Sequence, residues 1–345
     1  MQNKKRVLIT VPTYPPFNSG LGNATEALYG LLSSHYDVCL ATEFNSDRPQ
    51  SNDIVQFKIK GSRTLNNSVT GEVDCYKQHI MNSRYDIIVC VAWHCWSTEL
   101  VLELKDKITS KIVLFSHGES SFLTFRERPF FSALRVLNYL PYFFNRRKYF
   151  RAVDHFVFLN FDGERKRFTD IKTVRNRGLR HSVISNPIEI GNEKCSSGKK
   201  DIVISVGSYN WEKGFDRVIN AYAASTLCNE IPLFLFGQEA NHFTDDLKKL
   251  ASTKGIKESY IRFFAGLKTY EIEEYYRRSL ILINGSRTEA QPLVDLDAHK
   301  NGVPFVSFDV GDLRFRRSGL VVNSQQAMVR ALDYMRFNSE LYCSL

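Results

Sequence analysis

Short apolar runs recur along this chain, each closed by turn-forming residues and followed by a stretch long enough for a helix. In the first half they fall at 6–11 (RVLITV), 38–42, 55–59, 86–92, 111–116 and 155–159. In the second they fall at 202–206, 232–238, 260–266, from 280 onward and at 303–311, with a last short piece at 319–322. Runs of this length, rich in Val and Ile and bounded by Gly, Pro, Asn and Ser, read as buried strands. Strands alternating with helices build a parallel sheet covered on both faces, and ligands bind beyond the carboxyl ends of its strands. The expected fold class is therefore α/β. At 345 residues the chain is long for one core, so two domains are expected. Around 189–200 (EIGNEKCSSGKK) it turns polar and loses periodicity. That gives a first domain over 1–187, a linker over 188–200 and a second domain over 201–345.

The densest set of chemically useful groups lies at 280–304, LILINGSRTEAQPLVDLDAHKNGVP. An apolar run leads through a Gly/Ser/Thr turn into a helix that starts near Pro292, where a missing N–H costs nothing. Glu289, the helix start at Gln291, Pro292 and Leu293, and Asp297 one turn further in all gather beyond a strand end. At 100° per residue Leu293, Val294 and Leu296 share a face with Asp297, so Asp297 is expected to point inward and Asp295 into solvent. An inward carboxylate needs hydrogen-bond partners. Asp297 either caps a neighbouring loop or takes ligand hydroxyls beside an anion held at the helix start.

Other candidates sit at the ends of other runs. In GSYNWEKG, Lys213 stands at the amino end of a helix expected over 215–225, against its macrodipole. Either a bound diphosphate or Glu212 offsets that conflict. Gly207 and Gly237 each close a strand. In PTYPPFNSGLGN, Gly20 and Gly22 precede a helix expected from about Asn23 and let a backbone approach a ligand. The third glycine and the acidic residue of a dinucleotide fingerprint are absent. His117 follows the strand at 111–116, in FSHGES.

Composition narrows the classes. Hydrophobic residues make up 43%, as in a globular chain, and 46 Lys and Arg against 37 Asp and Glu leave +9, which suggests an anionic partner. The seven cysteines, Cys39, Cys75, Cys90, Cys95, Cys195, Cys228 and Cys343, are odd in number and lack paired spacing, which favours a reducing compartment. Cys90, His94 and Cys95 straddle a strand end without a second ligand pair; they read as core and loop. No apolar run is long enough to span a bilayer, and the opening MQNKKRVLITV is too short in its apolar part for a secretory signal. A cytosolic or peripheral chain is expected. Residues 122–151 stand apart: Arg126, Arg128, Arg135, Arg146, Arg147, Lys148 and Arg151 face a single acid, Glu127, among ten Phe or Tyr. Such a segment suits an anionic membrane interface, a nucleic acid, or a long helix packed on the sheet with its arginines exposed.

Glu289 and Asp297, eight positions apart, closely resemble the acidic signature of the retaining glycosyltransferases of family 4. That family usually reads Glu-Gly-Phe-Pro and ends in Glu; Ala290, Gln291 and Asp297 depart from it. VGSYNWEKGFDRVINAY resembles the family's Val-Gly-Arg then Lys-Gly segment, with Ser208 in place of the Arg. Gly20 and Gly22 resemble its amino-terminal glycine loop, His117-Gly118 its His-Gly step, and VISNP at 183–187 its step before the linker. Gly311-Asp312 and Arg314 stand where the family has Gly-Gly and Glu.

The resemblance implies a GT-B fold, with two Rossmann-like domains whose parallel sheets face across a cleft. It implies a retaining, metal-independent hexosyltransferase without a cofactor, whose donor substrate is a UDP- or GDP-linked sugar bound by the second domain. A glycan or lipid-linked acceptor is bound by the first, in bacterial surface polysaccharide or lipopolysaccharide assembly. Glu289 and His117 are the implied catalytic residues. Gly20, Gly22, Gly207, Lys213, Gly237, Gln291, Pro292 and Leu293 surround the donor, and Asp297 takes the ribose. A lipid-linked acceptor also favours an anionic membrane surface, at the inner face of the cell membrane, as the partner of 122–151. The competing readings are a nucleotide-sugar epimerase or hydrolase of the same fold and a catalytically silent binding subunit. A nucleic-acid module is third, and no RNA or DNA motif supports it.

Overall fold

The computed structural model describes residues 4–17, 19–119, 129–160, 168–187, 200–339 and 341. The chain divides into two compact units, Met1–Pro187 and Ile188–Leu345. Most of the expected linker, 188–199, and the start of the basic aromatic segment, 122–128, lie outside the described residues.

In the first unit the strands are β1 (Arg6–Thr10), β2 (Asp37–Glu43), β3 (Ile54–Phe57), β4 (Ile59–Lys60), β5 (Thr70–Gly71), β6 (Ile87–Val91), β7 (Lys111–Ser116), β8 (His155–Phe158) and β9 (His181–Val183). The helices are α1 (Gly20–Ser33), α2 (Val73–Asn82), α3 (Trp96–Glu103), α4 (Pro129–Asn138), α5 (Leu140–Ala152) and α6 (Thr169–Asn176). Seven strands form one parallel sheet in the order β3-β2-β1-β6-β7-β8-β9, while β4 and β5 pair as a small antiparallel ribbon. Val7, Leu8 and Ile9 are all buried because β1 is central and covered on both sides. Cys90 and Cys95 lie in the core around it.

Helix α1 starts three residues earlier than the sequence predicts. Ser19 is its N-cap, with Oγ accepting from the Gly22 N–H at 2.9 Å, so Gly20 and Gly22 lie inside the first turn rather than ahead of it. From Pro129 onward, where it is described, the basic aromatic segment is two helices rather than one, with Pro141 near the start of α5. Helix α5 turns Tyr142, Tyr149 and Phe150 into the core, and Phe150 stacks on Trp93 with ring centroids 5.0 Å apart. Helix α4 is built the other way round: Ser132 is its buried residue, and Phe130, Phe131, Leu134 and Leu137 are exposed. On α5, Phe144 is exposed as well and is followed by exposed Arg147, Lys148 and Arg151. Among the described residues no helix is long and apolar enough to cross a membrane.

The second unit contains β10 (Ile202–Val206), β11 (Leu233–Gly237), β12 (Ile261–Ala265), β13 (Ser279–Asn284), β14 (Phe305–Phe308) and β15 (Gly319–Val322), with α7 (Phe215–Ala223), α8 (His242–Thr253), α9 (Thr269–Arg278), α10 (Leu293–Lys300) and α11 (Gln325–Asn338). Its sheet is parallel throughout, in the order β12-β11-β10-β13-β14-β15. Alternate residues of each strand serve opposite faces. Val203, Leu235, Ile281, Ile283 and Val306 pack with α7, α8 and α11; Ile202, Ile204, Phe236, Leu282 and Phe305 pack with α9 and α10. Burying each such side chain contributes roughly 1.5–3 kcal/mol relative to exposure, which is why the apolar runs, rather than the loops, set the architecture.

Candidate functional site

In the second sheet β10 has β11 on one side and β13 on the other, so the loops after β10 and β13 leave the sheet at its topological switch point. The parity of β13 then decides what each loop residue meets. Asn284 lies on the face of Leu282 and reaches α10, where its Nδ2 donates to Asp295 Oδ2 at 2.7 Å. Gly285 lies on the face of Ile283 and packs backbone to backbone against Gly214, just ahead of α7. A Cβ on Gly285 would come within 2.2 Å of the Gly214 oxygen, and one on Gly214, at φ +64°, within 1.9 Å of the Gly285 oxygen. Two glycines are needed for the loops to approach this closely.

Arg287 fastens the same two loops. Its guanidinium donates to both carboxylate oxygens of Asp216 at 2.8 and 2.7 Å, donates to the Trp211 carbonyl at 2.7 Å, and lies over the Trp211 ring at 4.2 Å. Burial pushes the Asp216 carboxyl up, but the Arg287 bonds and charge outweigh it and hold the group below its ordinary value. The result is that Lys213 Nζ donates to Glu289 Oε1 at 2.5 Å, and Ser286 Oγ donates to the same oxygen at 2.9 Å. The Lys213 side chain is 32% exposed and that of Glu289 14%, so the pair is open to an incoming ligand.

Other residues expected at the site fall into place unevenly. Gly207 lies under the Lys213 side chain, where a Cβ would sit 3.3 Å from its Cγ. Its N–H, however, donates to the Phe236 carbonyl at 3.0 Å, so it is not one of the donors a diphosphate would meet. Gly237 is covered by the Tyr209 ring, 2.1 Å from where a Cβ would be, and Tyr209 donates to the Leu235 and Phe264 carbonyls. Gln291 is buried, with Nε2 donating to Asp312 Oδ2 at 2.9 Å. Pro292 is the N-cap of α10 and Leu293 its first residue, and no side chain caps this helix.

On α10 the sequence expectation fails for Asp295, which was expected in solvent. Asp295 has no exposed surface and Asp297 is half-buried. Of Leu293, Val294 and Leu296 only Leu296 is buried, and the buried side of this short helix also carries Asp295 and Ala298, three residues apart, with Asn284 as the partner of Asp295 there. Burial pushes Asp295 up to about 7 and Asp297 up to about 6. The charges that act on Asp297 are those of Lys300 and Glu273, not Glu289 or Lys213.

In the first unit His117 is half-buried at the end of β7, and burial pushes its imidazole down to about 4. It is therefore neutral near pH 7, able to orient a hydroxyl but not to serve as a standing proton donor. The turn that carries it is anchored: Glu119 accepts from Tyr142, Arg146 and Thr169, and Asp170 accepts from Trp93 and Ser116.

Two doubly wound parallel sheets in one chain are the architecture of the GT-B fold. Residues 189–315 match the model of a family described as "Glycosyl transferases group 1". An "Uncharacterized glycosyltransferase" of Haemophilus influenzae is 28% identical over 173 residues, a match that covers 47% of this chain and 47% of that relative's own length. Among solved structures, the chain is similar to WaaG, a glycosyltransferase involved in lipopolysaccharide biosynthesis (TM-score 0.70, 18% identity, 98% of this chain and 93% of that one). It is similar also to Anabaena Alr3699/HepE in complex with UDP and glucose (TM-score 0.71, 13% identity, 98% and 92%).

Proposed function

We propose that the protein is a glycosyltransferase that moves a sugar, with retained configuration, from a UDP- or GDP-linked donor held by the second unit to a glycan or lipid-linked acceptor. The observation that carries this reading is the contact between Lys213 and Glu289 at the switch point of the second sheet. A diphosphate arriving there takes Lys213 from Glu289 and gains the first-turn N–H groups of α10, so fixed positive charge meets the leaving group as its own charge grows. No further cation is needed for that role. Released from Lys213, the Glu289 carboxylate is free to bind sugar hydroxyls or to support the positive charge developing at the anomeric carbon. Asp297 remains the proposed ribose acceptor, and His117 orients a sugar hydroxyl as a neutral imidazole. The likeness to Anabaena Alr3699/HepE, a structure in complex with UDP and glucose, supports the donor class.

An inner membrane surface fits as the place of work. The exposed Phe130, Phe131, Leu134 and Leu137 of α4, followed by Arg147, Lys148 and Arg151 of α5, have the composition that enters an anionic lipid interface. In a panel of nucleotide sugars, one donor is expected to bind and to release its nucleotide only when an acceptor is present. Glu289→Gln should keep binding and lose turnover. Turnover unaffected by Glu289→Gln would remove the enzymatic assignment of this site, and binding with no turnover in any condition would favour the silent subunit.

A further inference from the structure

Resting on the reading that the Lys213–Glu289 pair handles a nucleotide sugar, we infer that Asp295 is a positioning residue whose charge state sets the state of Glu289. Asp295 stands in the first turn of α10 with no exposed surface. Its Oδ2 accepts from Asn284 Nδ2 at 2.7 Å, while its Oδ1 is buried with no hydrogen-bond partner. Asn284 Oδ1 accepts in turn from the Ser286 N–H at 3.0 Å, and Ser286 Oγ donates to Glu289 Oε1 at 2.9 Å. Asn284 and Ser286, the latter through its N–H on one side and its Oγ on the other, therefore connect a buried carboxyl group to the oxygen that Lys213 holds.

The charged and titratable groups facing Asp295 come from each surrounding element. Arg316 and Asp312 follow β14, Glu289 follows β13, and Tyr276 reaches in from α9. Burial pushes the Asp295 carboxyl up to about 7, against the lowering effects of Asn284 and Arg316. With Asp295 neutral, Glu289 and Asp312 are matched by Lys213 and Arg316. With Asp295 ionised, one uncompensated negative charge lies beside the place a pyrophosphate must enter. Linkage makes the effect mutual: a bound anion favours protonated Asp295, and ionised Asp295 weakens the anion by the same factor. The site thus loses affinity as pH rises through neutrality.

The test needs no knowledge of the true donor. In protein labelled with 13C at Asp and Glu carboxyls, the Asp295 resonance, assigned by its loss in Asp295→Asn, is expected to titrate near pH 7. The Glu289 resonance, assigned by Glu289→Gln, should inflect at the same midpoint in the parent protein, not in Asp295→Asn, and more weakly in Ser286→Ala. A Glu289 resonance without that inflection, or one that keeps it in Asp295→Asn, overturns the inference; an undiminished inflection in Ser286→Ala overturns the route through Asn284. UDP-glucose, whose pyrophosphate diester does not titrate in this range, serves as a binding probe by calorimetry at pH 6 and pH 8. Its affinity should fall about fivefold between these pH values if it raises the Asp295 pKa by one unit, and by no more than about tenfold for any larger rise, and stay flat in Asp295→Asn. An inflection present without UDP-glucose binding supports the coupling and counts against the nucleotide-sugar reading for that donor.

Discussion

Lys213 and Glu289 hold each other where each is proposed to hold substrate. A partly exposed ion pair adds little to stability, so Lys213→Ala should melt close to the parent protein. It should nevertheless lower kcat/KM with the productive donor by about 10²–10³-fold, the usual loss when one preorganised donor to a developing negative charge is removed. Steady-state kinetics beside a thermal melt separates the two effects; a large fall in melting temperature would make Lys213 structural. Asp295 should behave in the opposite sense. Its carboxyl, near 3.8 when unfolded and about 7 when folded, retains its proton in the native state while the unfolded chain releases it. The folded state then binds more protons between those values, so this group's contribution to stability declines as pH rises from about 4 and levels off above 7. Asp295→Asn removes the titration. Urea unfolding at pH 5 and pH 8 should show the variant gaining about 3 kcal/mol on the parent between the two, at 1.4 kcal/mol per unit, and an unchanged difference would mean the carboxyl is ionised throughout.

At the scale of elements, the site depends on how closely the turn before α7 meets the turn after β13. Gly285→Ala puts a methyl group within 2.2 Å of the Gly214 oxygen, so the loops must separate. The expected cost is about 1–3 kcal/mol from overpacking, read as a lower melting temperature, together with loss of donor binding as Lys213 and Glu289 part. Wild-type binding in this variant would show that their contact does not depend on the two glycines. Helix α4 presents the reverse situation, an apolar surface that supports no core. Phe130→Glu with Leu134→Glu should leave stability within about 0.5 kcal/mol, as surface changes do, yet abolish flotation with vesicles rich in phosphatidylglycerol. Parent protein that fails to float, or a double variant that still floats, would remove the membrane from the proposal. The sequence showed the charge and aromatics of this region but not their division, because α4 points its large residues outward and α5 points its own inward.

Across the whole chain, what was legible was whatever is encoded locally. The runs at 111–116 and 202–206 coincide with β7 and β10 to the residue, since buried strands are set by consecutive apolar side chains. Lys213 and Glu289 were legible because each closes a strand-to-helix turn, where a parallel sheet places its ligands. Arg287 and its partner Asp216 were not, being 71 positions apart with no local spacing to betray the pair. The facing of Asp295 was missed for a related reason, as it is fixed by Asn284 across 11 positions rather than by the polarity of α10. The same separation of local cores makes a thermal prediction. Among the described residues the buried apolar clusters of the second unit contain no residue of the first, so a ligand held by the second unit is expected to raise that unit's transition directly. At 100 times Kd, mass action adds about 2.7 kcal/mol, which for a unit of this size corresponds to a rise of roughly 5–10 °C. Scanning calorimetry with the productive nucleotide diphosphate should show that shift in the transition that Gly285→Ala lowers. A shift confined to the other transition would move the donor to the first unit and leave the Lys213–Glu289 pair without its proposed substrate.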